Sequence, residues 1–214
     1  MLISVNDIKE QLAKYNIIPT GTLHVGAHDC EELPIYHEMG LQSTDVIWID
    51  AIPHKVQEAK TKGIPNVYHA VVTDKDDQNV TFYVSNNIQS SSVLELGTHK
   101  QEHPWVHYTH KLEQQSITID TFFERNAIDI SKYNFWNFDI QGAELMALKG
   151  AAKSLIYAKA LYLEVNEKHL YEGCALMSEI DEFLAQRGFK RVLTSMTPHG
   201  WGDALYVSAF GEQK

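Results

Sequence analysis

The chain has 214 residues, 44% of them hydrophobic and 21% charged, the composition of a single globular domain, expected to span 1–214. Its formal charge of −10, with scattered Lys and Arg, leaves no basic face for nucleic acid. No apolar run approaches the roughly 18 residues of a membrane span, and MLISVNDIKEQ lacks the regions of a secretion signal, so a cytoplasmic protein with no membrane span is expected. The two cysteines, Cys30 and Cys174, form neither a disulfide framework nor a zinc motif.

SVNDIKEQLAKY predicts an N-terminal helix over about 4–15, capped by Ser4 and with Val5, Ile8, Leu12 and Tyr15 on one face. The core is expected over about 20–210. GTLHVG reads as a strand ending in glycine, and EELPIYHEMG as a short helix closed by Gly40. DVIWID is a strand, followed by a helix with Pro53 in its first turn. NVYHAVV predicts a third strand, and NVTFYV an edge strand or hairpin arm. From about Ser85 to Gln115 the sequence is irregular and polar, the mark of a functional or mobile loop. TIDTFFERN predicts a brief strand and a short helix. YNFWNFDI is an apolar strand, GAELMALKG a helix and ALYLEV another strand. MSEIDEFLAQRG is an amphipathic helix, and FKRVLT and ALYVSAF are final strands joined by a hairpin turn.

Strands alternating with helices define an α/β protein with a doubly wound, mostly parallel sheet. One of the last two strands, with no helix between them, should run antiparallel. Ligands of such sheets bind beyond the carboxyl ends of the strands, which directs attention to the tips. HVGAHDCEE places Gly26 where a ligand meets the backbone, but His28 and Glu31 occupy the second and third glycine positions of a dinucleotide fingerprint. A small anionic group fits this loop better than a pyrophosphate. Asp50 ends the next strand as a lone carboxylate. It suits the vicinal hydroxyls of a ribose, or alternatively caps the Pro53 helix. A ribose clamp without a pyrophosphate loop favours S-adenosylmethionine over NAD. Asp74 is either an adenine contact or part of an acidic turn. Asp139, followed by Gly142, ends an apolar strand, where an acid needs a partner or a task. Glu144 suits a helix cap, and Glu164 and Asn166 repeat the pattern one strand later.

Taken in order, HVGAHDCEE, IWIDAIP, SNNIQSSSVL, FDIQGAELMALKG, LEVN and WGDALYV resemble the FkbM family of S-adenosylmethionine-dependent methyltransferases, from about Gly21 to about Phe210. The resemblance implies the class I methyltransferase (Rossmann-like) fold, a seven-stranded sheet with its last strand antiparallel, and O-methyl transfer to hydroxyls of sugars and polyketides. It implies that Gly26, Ala27 and His28 hold the methionine part of the cofactor. Asp50, with Ala51 beside it, would take the ribose, and Val71, Val72 and Asp74 would frame the adenine. Asp139, Gln141 and Gly142 would line the reaction centre, and Ser90, Ser91 and Ser92 would cover it. The sequence departs from the family at His24, where an acid is common, and at Cys30, where a glycine is common.

The expected reaction is methyl transfer from S-adenosylmethionine, with S-adenosylhomocysteine as product, to a hydroxyl of a sugar, glycan or related small-molecule conjugate. A sugar hydroxyl needs a base or a metal to become a nucleophile. Asp139 is the first candidate base, with His28 and His199 behind it. His99, His103, His107 and His110 have the spacing of one helical face, but Pro104 interrupts it and no metal is assigned. Trp105, Tyr108 and Trp201 are of the type that stacks on sugar rings, or that packs as ordinary core. Two competing readings are a catalytically silent binding module and a nucleotide-dependent oxidoreductase.

Overall fold

A computed structural model describes residues 1–209. The chain opens with helix α1 (Val5–Lys14), where the Ser4 side chain accepts the Asp7 amide and Ile8 and Leu12 are buried. Strand β1 (Thr22–Val25), helix α2 (Leu33–Glu38), strand β2 (Val46–Asp50), helix α3 (Pro53–Thr61) and strand β3 (Val67–His69) follow. Strands β4 (Val71–Val72) and β5 (Asn79–Ser85), the single-turn helix α4 (His99–Glu102) and strand β6 (Tyr108–Ile117) form the middle of the chain. The second half holds α5 (Ile119–Arg125), β7 (Phe135–Phe138), α6 (Glu144–Lys149), β8 (Ala160–Asn166), α7 (Met177–Ala185), β9 (Phe189–Met196) and β10 (Trp201–Ser208).

Seven strands form one sheet in the order β3-β2-β1-β7-β8-β10-β9. Strands β3, β2, β1, β7 and β8 run parallel, and β10 is antiparallel to both of its neighbours. The order reverses between β1 and β7. The strands read as apolar runs because both sheet faces are covered. Alternation sorts their side chains: Leu23, Val25, Ile47 and Ile49 pack with Phe122, Leu145, Leu148, Ile180 and Leu184 from α5, α6 and α7. Trp48 points the other way, to Ile8, Leu12, Tyr36, Val56 and Ala59 from α1, α2 and α3. This is the doubly wound arrangement.

Two expectations need correction. The third strand is broken at Ala70, so that β3 joins the main sheet while β4 enters a second, three-stranded sheet of order β4-β6-β5. The polar stretch from Ser85 to Gln115 is not wholly irregular, because Tyr108 onward forms β6, a ten-residue strand antiparallel to β5. Its side chains are mostly exposed or half-buried, so no apolar alternation announces it. The remainder of that stretch rests on a small apolar cluster of Leu96, Val106, Leu170, Tyr171 and Cys174. Phe210, the end of the expected last strand, lies outside the described residues.

Candidate active site

Register sets the strand tips side by side. Ile49, Val25, Phe138 and Leu163 lie abreast in β2, β1, β7 and β8, so the next residues are Asp50, Gly26, Asp139 and Glu164. Asp203 of β10 pairs directly with Glu164. A row of four carboxylates, interrupted by one glycine, therefore crosses the carboxyl end of the sheet. That glycine cannot be replaced: its φ is +94°, and a Cβ would stand 1.9 Å from the Asp139 carbonyl oxygen. Beyond the row opens a cavity of about 510 Å³, within the range of small-molecule sites.

At the β1–β2 end, Asp50 is 9% exposed and accepts the amides of His28 and Ile52, each at 2.7 Å. It thus tethers the start of the Pro53 helix while also walling the cavity. Burial pushes its pKa up, against the two amides. A carboxylate has about four acceptor sites, so two remain for a ligand. His28 has a left-handed φ of 43°, and its Nδ1 lies 3.0 Å from Glu31 Oε1, which raises its pKa. Burial opposes ionisation of Glu31, but hydrogen bonds from His28 and the backbone prevail and hold it at about 2. Ala51, Ile52, Val71, Val72 and Phe82 form an apolar wall beside Asp50.

At the other end, Gln141 organises the acids. Its Nε2 donates to Asp139 Oδ1 at 2.6 Å and to Glu164 Oε2 at 2.5 Å, and its Oε1 accepts the Tyr171 hydroxyl at 2.6 Å. Gln141 and Gly142 both hold left-handed backbone, with φ of 57° and 94°. Glu144 secures that turn by accepting the amides of Ile140 and Gly142. Burial pushes Glu144 up to about 8. Burial, and then the charges of Asp139 and Glu144, raise Glu164 well above the usual carboxylate range. Asp139 alone in this group is exposed. The Ser92 hydroxyl donates to the Gln141 carbonyl at 2.9 Å and accepts the Leu94 amide, tying the covering loop to the β7 tip.

Gly26, His28, Asp50, Ala51, Val71, Val72, Ser90, Ser91, Asp139 and Gln141 all wall the cavity. Ala27, Gly142 and Asp74 do not. Ser91 is spent on accepting the Ser85 amide, and Gly142 sits behind the wall, where a Cβ would meet Cys174 Cβ at 2.7 Å. His24 also lies behind it, its Nδ1 2.7 Å from the Tyr36 hydroxyl, which accepts from Asn137. Cys30 is buried, which pushes its thiol up to about 12. His99, His103, Trp105 and Trp201 face the cavity, but Tyr108 does not, because its hydroxyl accepts the Leu96 amide. His199 pairs with Glu102 at 3.1 Å. Among the described residues no group of three or more His, Cys, Asp or Glu is arranged to hold a metal ion. Sequence reading gave no role to Glu31, Tyr171 or Asp203. Asp203 had a signal in WGDALYV, whereas Tyr171 had none.

The strand order, the antiparallel β10 and a site at the switch point define a class I, Rossmann-like methyltransferase. The sequence model of the Methyltransferase FkbM domain matches residues 24–191. The chain belongs to this family of S-adenosylmethionine-dependent methyltransferases. A crystal structure of magnesium protoporphyrin IX methyltransferase from Synechocystis PCC 6803 with bound S-adenosylmethionine is similar at 14% identity and a TM-score of 0.46, covering 95% of this chain and 77% of that one. A methyltransferase structure from Aquifex aeolicus is similar at 14% identity and a TM-score of 0.41, covering 96% and 90%. No curated protein matches the chain at a significant level. The site fits the cofactor: an open glycine tip, a carboxylate with spare acceptor sites and an apolar slot occur in one cavity. No helix among the described residues is long and apolar enough to cross a membrane.

Proposed function

We propose that the chain methylates a hydroxyl of a sugar, glycan or related small-molecule conjugate. The observation that carries this reading is Asp139, the exposed carboxylate of the row, at the switch point and walling the cavity. Gln141 donates to one of its oxygens, and the Glu164 carboxyl lies within hydrogen-bond reach of it. S-adenosylmethionine supplies a methyl group on a sulfonium sulfur and leaves as S-adenosylhomocysteine. Asp50 takes the ribose hydroxyls, Ala51, Val71 and Val72 flank the adenine, and Gly26 and His28 hold the methionine end. The acceptor oxygen forms its bond to the methyl carbon in line with the C–S bond that breaks, and its proton passes to Asp139. His28 is less suited to this step, because Glu31 already engages its ring and favours the protonated form. Trp105 and Trp201 offer ring faces to a sugar. The two buried, unpaired cysteines agree with a cytoplasmic setting.

The test is Asp139→Asn. Turnover should fall by about 10²-fold or more while S-adenosylhomocysteine binds as before. Undiminished turnover removes Asp139 from the mechanism.

A further inference from the structure

Glu164 and Asp139 meet at one nitrogen. Gln141 Nε2 carries two hydrogens and gives one to each acid, at 2.5 and 2.6 Å. The two carboxyls are also in hydrogen-bond contact with each other. The buried Tyr171 hydroxyl donates to Gln141 Oε1 at 2.6 Å, so the amide loses this bond if it turns its oxygen toward the acids. Two carboxyls that share a site cannot both stay ionised without a cation between them.

The protein places no cation there. The cavity wall holds no Lys or Arg, and none of the ion pairs among the described residues involves Asp139, Glu164 or Asp203. The charged groups that act on Glu164 are acids: Asp139 from the β7 tip, Glu144 from α6 and Asp203 from β10. Asp203 is engaged by the Tyr162 hydroxyl and the Leu2 amide, and the Met1 amino group acts on it. Of the histidines in the wall, His28 is held by Glu31. Burial, and then His103, push His99 down to about 4, so its ring is neutral. The His103 ring packs against those of His99 and His199, each at 4.8 Å. Asn166, two residues along β8, gives Glu164 nothing, since neither of its amide atoms has a partner.

The remaining remedy is a proton, and burial decides which acid keeps it. Glu164 is 5% exposed, whereas Asp139 is exposed. A charge costs less in water than in the interior, so Asp139 carries the charge and Glu164 the proton. We propose that Glu164 is a positioning residue for the base: it retains one proton, donates it in a hydrogen bond to Asp139, and leaves the pair with a single negative charge on the exposed member. The role assigned to Asp139 rests on the methyltransferase reading. In that reaction the O–C bond forms as the C–S bond breaks, its electron pair leaves with the sulfur, and the acceptor's proton passes to Asp139. The pair then holds two protons, and Asp139 returns one to solvent.

The experiment follows the side-chain carboxyl carbons of the full chain by carbon-13 NMR through a pH titration, with and without S-adenosylhomocysteine, each signal assigned through bonds to its backbone. At about pH 7 the Glu164 signal should be that of a carboxylic acid and the Asp139 signal that of a carboxylate. The Asp139 midpoint should rise by about one pH unit in Glu164→Ala, which removes the donor, and stay near the unmodified value in Glu164→Gln, which keeps a neutral one. An ionised Glu164 predicts the opposite sign, because removing a like charge lowers the Asp139 midpoint in both variants. An ionised Glu164 signal at about pH 7, or a lowered Asp139 midpoint in Glu164→Gln, overturns the proposal, and either reading stands if the alanine variant fails to fold. Failure of the unmodified chain to bind S-adenosylhomocysteine overturns the methyltransferase reading instead, while the titration of the free chain still decides where the proton lies.

Discussion

Asp50 ends β2 and Asp139 follows β7, the two strands that flank β1, but the backbone engages their carboxylates differently. Both Asp50 oxygens accept an amide, so its position is fixed before a ligand arrives. Asp139 is held on one oxygen by a side chain and stays exposed. The first arrangement suits binding and the second suits proton transfer. Asp50→Ala should therefore weaken S-adenosylhomocysteine binding by about 10- to 100-fold in calorimetry, the value of a charge-assisted hydrogen bond. Gly26→Ala is a test of a different kind. Its added carbon has no space beside the Asp139 carbonyl and its φ is positive, so urea unfolding should show a loss of at least about 2 kcal/mol. His24 is the residue at which sequence reading is least informative. It stands in the motif only as a departure, where the family commonly has an acid, whereas the strand's alternation turns its ring into the Tyr36–Asn137 network.

At the scale of elements, the loop between β5 and β6 is anchored rather than free. Tyr83 exchanges backbone hydrogen bonds with Ser92, and Gly97 and Glu172 bond to Leu170 and Glu95. Ser92 joins this loop to the turn that follows β7. Ser92→Ala should speed amide hydrogen exchange at Leu94 and lower kcat/KM, with the fold intact by circular dichroism. Unchanged exchange would mean that the apolar cluster around Leu96 holds the loop without help. The strand tips were legible in the sequence because local signals converge there: apolar runs, then an acid, then glycine or proline. The β6 strand, the Tyr171–Gln141 bond and the unpartnered Asn166 were not. Each depends on contacts between segments far apart in the chain, and none leaves a period in its own segment.

On the scale of the whole molecule, one buried acid and one surface acid shape the response to pH. The folded pKa of Glu144 is about 8, above the ordinary carboxylate value it takes when unfolded. Its contribution is present in full below that ordinary value and is lost as pH rises through about 8. Glu31, held at about 2, works in the opposite sense and loses its contribution as pH falls toward 2. Urea midpoints should therefore fall between pH 5 and pH 9, and Glu144→Gln should flatten that decline, since an amide keeps the acceptor but not the charge. An equal slope in the variant would assign the decline to Glu164 or to other groups. The sheet order has one more consequence. Strand β1 leaves the ribosome early, but it lies between β2 and β7, and β7 begins only at Phe135. Until then one edge of this four-residue strand is unpaired, and an unpaired edge can recruit other chains. The acids of the site come from β2, β7, β8 and β10, so no nascent chain shorter than about Asp203 carries the complete row. Ribosome-bound chains that stop short of Asp203 should therefore bind no cofactor tightly.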